Sequence, residues 1–126
     1  MIFIIGGRSQ GKTDYVLKNY PSAEICDGAD MGIAELENIA CIDNFHLLIK
    51  RLLKDGKCTD TLIDTIYAGN PSIIIICDEI GSGIVPLEKE DRIYRETVGR
   101  MLCRAVKKAD RVERIACGIG QCLKGE

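Results

Sequence analysis

Eight consecutive residues, Gly6-Gly7-Arg8-Ser9-Gln10-Gly11-Lys12-Thr13, match the pattern G-x-x-x-x-G-K-[ST] and are suited to hold a chain of phosphates. Glycines let the backbone wrap closely, so successive N–H groups converge on phosphate oxygens. The positive end of a following helix adds its field at the same point. Lys12 would reach the β- and γ-phosphates, and the Thr13 hydroxyl would ligate Mg²⁺. At ordinary residue frequencies the match arises by chance in about one chain of this length in a hundred or fewer. A lysine in so tight a turn has little packing use, which favours a nucleotide-binding loop over a Gly-rich turn that binds nothing.

Magnesium needs a further acidic contact from the end of a nearby strand. Two candidates exist. Ile73-Ile74-Ile75-Ile76-Cys77-Asp78-Glu79 is an apolar strand followed by paired acids, and Ile39-Ala40-Cys41-Ile42-Asp43 is a shorter run with one acid before a helix. Asp43 is also open to reading as a helix N-cap. Spacing does not decide between Asp43 and Asp78. Whichever holds the metal, Glu79 is placed to orient or deprotonate a nucleophile.

The elements that must position these residues follow from periodicity. Strands are expected at Met1–Ile5, Ala23–Asp27, Ile39–Asp43, Ser72–Asp78 and Val112–Cys117. Runs such as Ile73–Ile76 are apolar on both faces, as parallel strands covered by helices on each side require. Helices are expected at Thr13–Tyr20, Asn44–Lys54, Asp60–Ala68 and Lys89–Ala109. The last carries Tyr94, Val98, Met101, Leu102, Ala105 and Ala109 on one face, and Lys50 and Arg51 lie opposite the apolar stripe of the second. Strand–helix alternation throughout predicts one α/β domain over residues 1–126, with a mostly parallel sheet of about five strands.

Composition narrows the function classes. The 126 residues are 46% hydrophobic and 29% charged, enough for a real core, with a net charge of −2. A phosphate-backbone reader carries a basic excess, so nucleic-acid binding is disfavoured. No apolar run is long enough for a membrane span or a signal peptide, which predicts a cytoplasmic chain. Seven cysteines include no C-x-x-C pair. Cys26, Cys41, Cys77 and Cys117 fall in or beside apolar runs, where a free thiol packs as a small hydrophobe.

The phosphate loop and a second block together resemble the adenosylcobinamide kinase / adenosylcobinamide-phosphate guanylyltransferase family. The loop is similar to that family's G-G-x-R-S-G-K-S, with the Arg-Ser pair one place earlier. Asp78-Glu79-Ile80-Gly81-Ser82-Gly83-Ile84-Val85-Pro86 resembles its N-E-V-G-x-G-I-V-P. The likeness continues through Arg92, Tyr94-Arg95-Glu96, Gly99-Arg100, Ala109-Asp110-Arg111-Val112 and Gly118-Ile119-Gly120. This resemblance implies a P-loop domain that uses ATP or GTP with Mg²⁺ to phosphorylate a hydroxyl on a cobinamide side chain. It implies a trimer as well. In a kinase of this kind Arg95 or Arg100 would stabilise transferring charge across a subunit interface.

Guanylyl transfer through a covalent histidine is also a family property, and here the chain departs. The family's H-H-x-x-R-P-like stretch has no counterpart between the second and third strands, where Asp27-Gly28-Ala29-Asp30-Met31-Gly32 stands. The single histidine, His46, lies at the edge of a helical stripe and is read as packing or capping. A kinase of the cobinamide type without the transferase step is therefore expected. The alternatives are a non-catalytic nucleotide-binding regulatory module and a kinase with another small acceptor.

Overall fold

A computed structural model describes residues 1–8, 10–57, 59–80 and 88–125. Strand β1 (Ile2–Gly6) runs into the phosphate loop and then α1 (Lys12–Asn19). There follow β2 (Ile25–Asp27), a 3-10 turn (Ile33–Glu37), β3 (Cys41–Asp43), α2 (Phe45–Lys54) and α3 (Leu62–Gly69). Then come β4 (Ile74–Asp78), α4 (Lys89–Lys108), β5 (Arg111–Ala116) and β6 (Ile119–Lys124).

Among the described residues the strands form one sheet in the order β2-β3-β4-β1-β5-β6. The first five are parallel, and β6 pairs antiparallel with β5. The sixth strand exceeds the five expected. Its residues are exposed throughout, so it lacks the apolar run that marks the others. The preceding turn carries Cys117, which is exposed and has φ 51, a correction to its expected place in the core. Cys41 and Cys77 are buried as expected, their thiols pushed up to about 12 chiefly by burial, and Cys26 is half-buried.

Alternation along the strands divides the core. Phe3, Ile75, Cys77 and Val112 face α2, α3 and α4, while Ile4, Ile74, Ile76 and Ile115 face Val16 of α1. The chain moves outward from β1 to β2 and then returns through β3 and β4. Right-handed crossovers therefore put α1 on one face and the later helices on the other. Such a reversal leaves a crevice at the carboxyl ends of the strands beside β1. No described helix is long and apolar enough to cross a membrane.

Helix α2 buries Phe45, Leu48, Ile49 and Leu52 and stops in a Schellman turn, with Gly56 at φ 68 and Lys57 N–H donating to Leu52 O at 2.9 Å. Arg51, expected opposite the apolar stripe of this helix, donates to Gly28 O and Met31 O, both at 2.8 Å. It ties α2 to the segment after β2.

Candidate nucleotide-binding site

The carboxyl ends of β1, β3 and β4 bring the phosphate loop and both candidate aspartates to one cleft of about 530 Å³. Gly6 pairs in register with Asp78, and Glu79 N–H donates to Gly6 O at 2.8 Å. The loop therefore begins against the end of β4. Gly11 closes the loop at φ 86, a left-handed conformation open to glycine at little cost, and α1 begins at the next residue.

Lys12 is buried. Its ammonium donates to Gly7 O at 2.7 Å and lies 2.7 Å from Asp78 Oδ1. The long side chain thus folds back across the mouth of its own loop. Thr13 Oγ1 donates to Asp43 Oδ2 at 2.9 Å, while the other Asp43 oxygen accepts from Asn44 N–H at 2.7 Å. Asn44 takes φ 53, which turns the chain sharply from β3 into α2. The two aspartates left open by spacing thus have different partners: Asp43 meets the hydroxyl, and Asp78 meets the ammonium.

His46 completes this wall. Its Nδ1 accepts from Asp78 N–H at 3.2 Å, and Nε2 lies 3.5 Å from Asp78 Oδ2. Burial lowers its pKa, against the opposing pull of the Asp78 carboxylate, so the ring is neutral near pH 7. The helical stripe alone suggested packing. Its place three residues after an acidic strand end, on the first turn of a helix that starts at the cleft, is the signal that points to the site.

Glu79 faces elsewhere. It lines a second cleft of about 630 Å³ on the β5 side of the loop, with Gly7 and Gln10, and Arg114 donates to its Oε2 at 3.0 Å. Arg114 carries no motif and was not among the residues expected. Arg8 and Gln10 line the Lys12 cleft, while Ser9 and the Gly81–Pro86 block lie outside the described residues. Arg95 and Arg100 sit on α4 and do not line either cleft; Arg100 lines a shallow hollow with Cys103 and Lys107.

Hard oxygen donors at Thr13 and Asp43 suit Mg²⁺ better than a softer metal. Among the described residues no group of three or more His, Cys, Asp or Glu side chains forms a metal cage.

The family model for cobinamide kinase / cobinamide phosphate guanyltransferase (CobU) matches residues 29–123. That span takes in Asp43, Asp78, Glu79, Arg95 and Arg100 and begins after the phosphate loop. No curated protein matches the chain. A match across so much of the 126 residues settles the relationship: the chain belongs to the cobinamide kinase / cobinamide phosphate guanyltransferase family, whose members are enzymes of cobalamin biosynthesis.

Proposed function

We propose that the protein is a kinase of the cobinamide type, transferring the γ-phosphoryl group of ATP or GTP to an acceptor hydroxyl. The observation that carries this reading is the pairing of Lys12 with Asp78 and of Thr13 with Asp43 at the head of one cleft. Lys12 is held ready for phosphate oxygens, and the loop's N–H groups with the α1 N-terminus supply the rest of the cradle. Thr13 and Asp43 would hold Mg²⁺, which neutralises phosphate charge when bound. Asp78 keeps the Lys12 ammonium in place, and His46 keeps Asp78 in place.

In the transfer, the acceptor oxygen bonds to the γ-phosphorus as the bond to the β–γ bridging oxygen breaks. The nucleoside diphosphate leaves, and the acceptor proton passes to Glu79. Arg95 or Arg100 stabilises the transferring charge from a neighbouring subunit of a homo-oligomer, a trimer by family resemblance.

The guanylyl-transfer step is absent in this reading. Covalent guanylylation needs an imidazole nitrogen with a lone pair free to attack phosphorus. Both nitrogens of the only histidine are directed at Asp78. A nucleotide-binding module without turnover is the second reading, favoured by one feature: Glu79 is ion-paired with Arg114 and does not line the Lys12 cleft.

The deciding experiment is turnover of ATP and of GTP with and without cobinamide. Cobinamide-dependent release of nucleoside diphosphate supports the kinase. Nucleotide binding without turnover supports the module. Turnover only with other hydroxylated acceptors reassigns the substrate.

A further inference from the structure

The turn between β5 and β6 reaches the middle of the phosphate loop and holds it at two points. Gln10 Oε1 accepts from Cys117 N–H at 2.8 Å, and Gln10 O accepts from Gly118 N–H at 2.8 Å. Both bonds fall on one residue of the loop, one through its side chain and one through its main chain. Beside them the backbones nearly touch: a Cβ on Gly11 would lie 3.3 Å from the Gly118 Cα.

The turn is shaped for this contact. Cys117 and Gly118 both have positive φ, 51 and 77, which aims two successive N–H groups to the same side. Such a pair forms a small anion-binding concavity of the kind phosphates use, and here Gln10 fills it with two neutral oxygens. The turn itself cannot drift. Strand β6 pairs with β5 from Ile119 to Lys124, and Gly120 packs so closely on Tyr15 of α1 that a Cβ there would lie 2.6 Å from the tyrosine oxygen. The helix that follows the loop and the turn that clasps the loop are thereby fixed to one another.

Resting on the nucleotide-binding reading of the loop, we infer that Gln10 is a positioning residue that acts through the 117–118 turn. Its side chain serves the fold of the loop, leaving the loop's N–H groups and Lys12 to meet phosphate. The β5–β6 turn is by this inference part of the nucleotide-binding machinery, although it comes from the far end of the chain. Loss of the side-chain acceptor frees the Cys117 N–H and releases one of the two anchors. The loop then samples shapes that do not bind, and apparent affinity falls by the fraction of time spent in them.

The test compares wild type, Gln10→Met and Gln10→Glu by amide hydrogen exchange without nucleotide. Binding of a non-hydrolysable ATP or GTP analogue with Mg²⁺ is then measured by calorimetry for wild type and Gln10→Met. Methionine keeps the bulk and loses the acceptor, whereas glutamate keeps an acceptor oxygen. Cys117 amide exchange is expected to speed up about tenfold or more in Gln10→Met and to stay near wild type in Gln10→Glu. Analogue binding by Gln10→Met is expected to weaken about three- to tenfold, the usual worth of one such hydrogen bond.

Unchanged Cys117 exchange in Gln10→Met overturns the clasp, even if affinity falls, because Gln10 then acts on phosphate directly. Faster exchange with unchanged affinity overturns its role in binding. Wild-type protein that binds no analogue defeats the nucleotide reading itself, and this inference goes with it; the exchange data report separately on whether the clasp exists.

Discussion

The Thr13 hydroxyl meets the Asp43 carboxylate at 2.9 Å, although β4 stands between the strands that carry them to the cleft. This contact distinguishes Asp43 from Asp78, whose carboxylate meets the Lys12 ammonium instead. If the pair holds Mg²⁺, Asp43→Asn should raise the Mg²⁺ concentration needed for half-maximal activity about 10- to 100-fold. Nucleotide binding without metal should change little. A Mg²⁺ titration that matches wild type would remove Asp43 from the metal site.

Lys12 holds the other half of the cleft. Lys12→Ala should weaken triphosphate binding by about thirtyfold or more, as truncation of a buried charged partner does. Calorimetry checks this directly. An affinity equal to wild type ends the phosphate-loop assignment.

His46 should carry no guanylyl group. Incubation with labelled GTP, followed by denaturation, should leave no acid-labile GMP on the protein, because both ring nitrogens are committed to Asp78. Label at His46 in the wild type and none in His46→Asn would restore the transferase step to this chain.

Glu79 and Arg114 predict an asymmetry in turnover. Glu79→Gln should lower kcat with cobinamide about 100-fold or more while leaving nucleotide affinity near wild type, as loss of a general base does. Arg114→Ala should lower kcat less, since it acts only through Glu79. Full turnover by Glu79→Gln would show that the acceptor proton leaves by another route.

A pH effect arises on β5, where Glu113 meets Tyr15 of α1. Glu113 is buried; burial is the largest influence and opposes its charge. Hydrogen bonds from Arg111 at 3.2 Å and Tyr15 at 2.5 Å outweigh it and hold the pKa below its usual value. Tyr15 is in turn pushed up to about 12, chiefly by its bond to Glu113. A depressed carboxylate stabilises the fold above its unfolded pKa and loses that contribution as pH falls through the folded value. Glu113→Gln should therefore cost about 1–3 kcal/mol at pH 7, a gap that closes as pH drops below about 4.5. Thermal melts across that range check it; a gap constant with pH contradicts the ionised network.

The parts of the fold that repeat a pattern were readable in the residues, and the parts that depend on neighbours were not. Ile73–Ile76 announces a buried strand because both faces are apolar, and α4 announces its inner face through Val98, Met101 and Ala105. Strand β6 announces nothing, since an exposed edge strand has no burial pattern to print into its sequence. The choice between Asp43 and Asp78 depends on strand order, which no local spacing encodes. Arg51 reads as a surface charge until the carbonyls of Gly28 and Met31 are brought to it. The same holds for Arg114, whose role exists only because β5 lies next to β1, which in turn lies next to β4.

The clasp on Gln10 also has a meaning in time. Its two halves lie 107 residues apart in sequence, so the loop emerges from the ribosome long before the turn that shapes it. A nascent chain that has already made its lysine and threonine still lacks the brace that settles them, and contacts so distant along the chain form late in folding. Any copy of the chain cut before residue 117 carries the Lys12 and Thr13 of the motif and lacks both N–H groups of the brace.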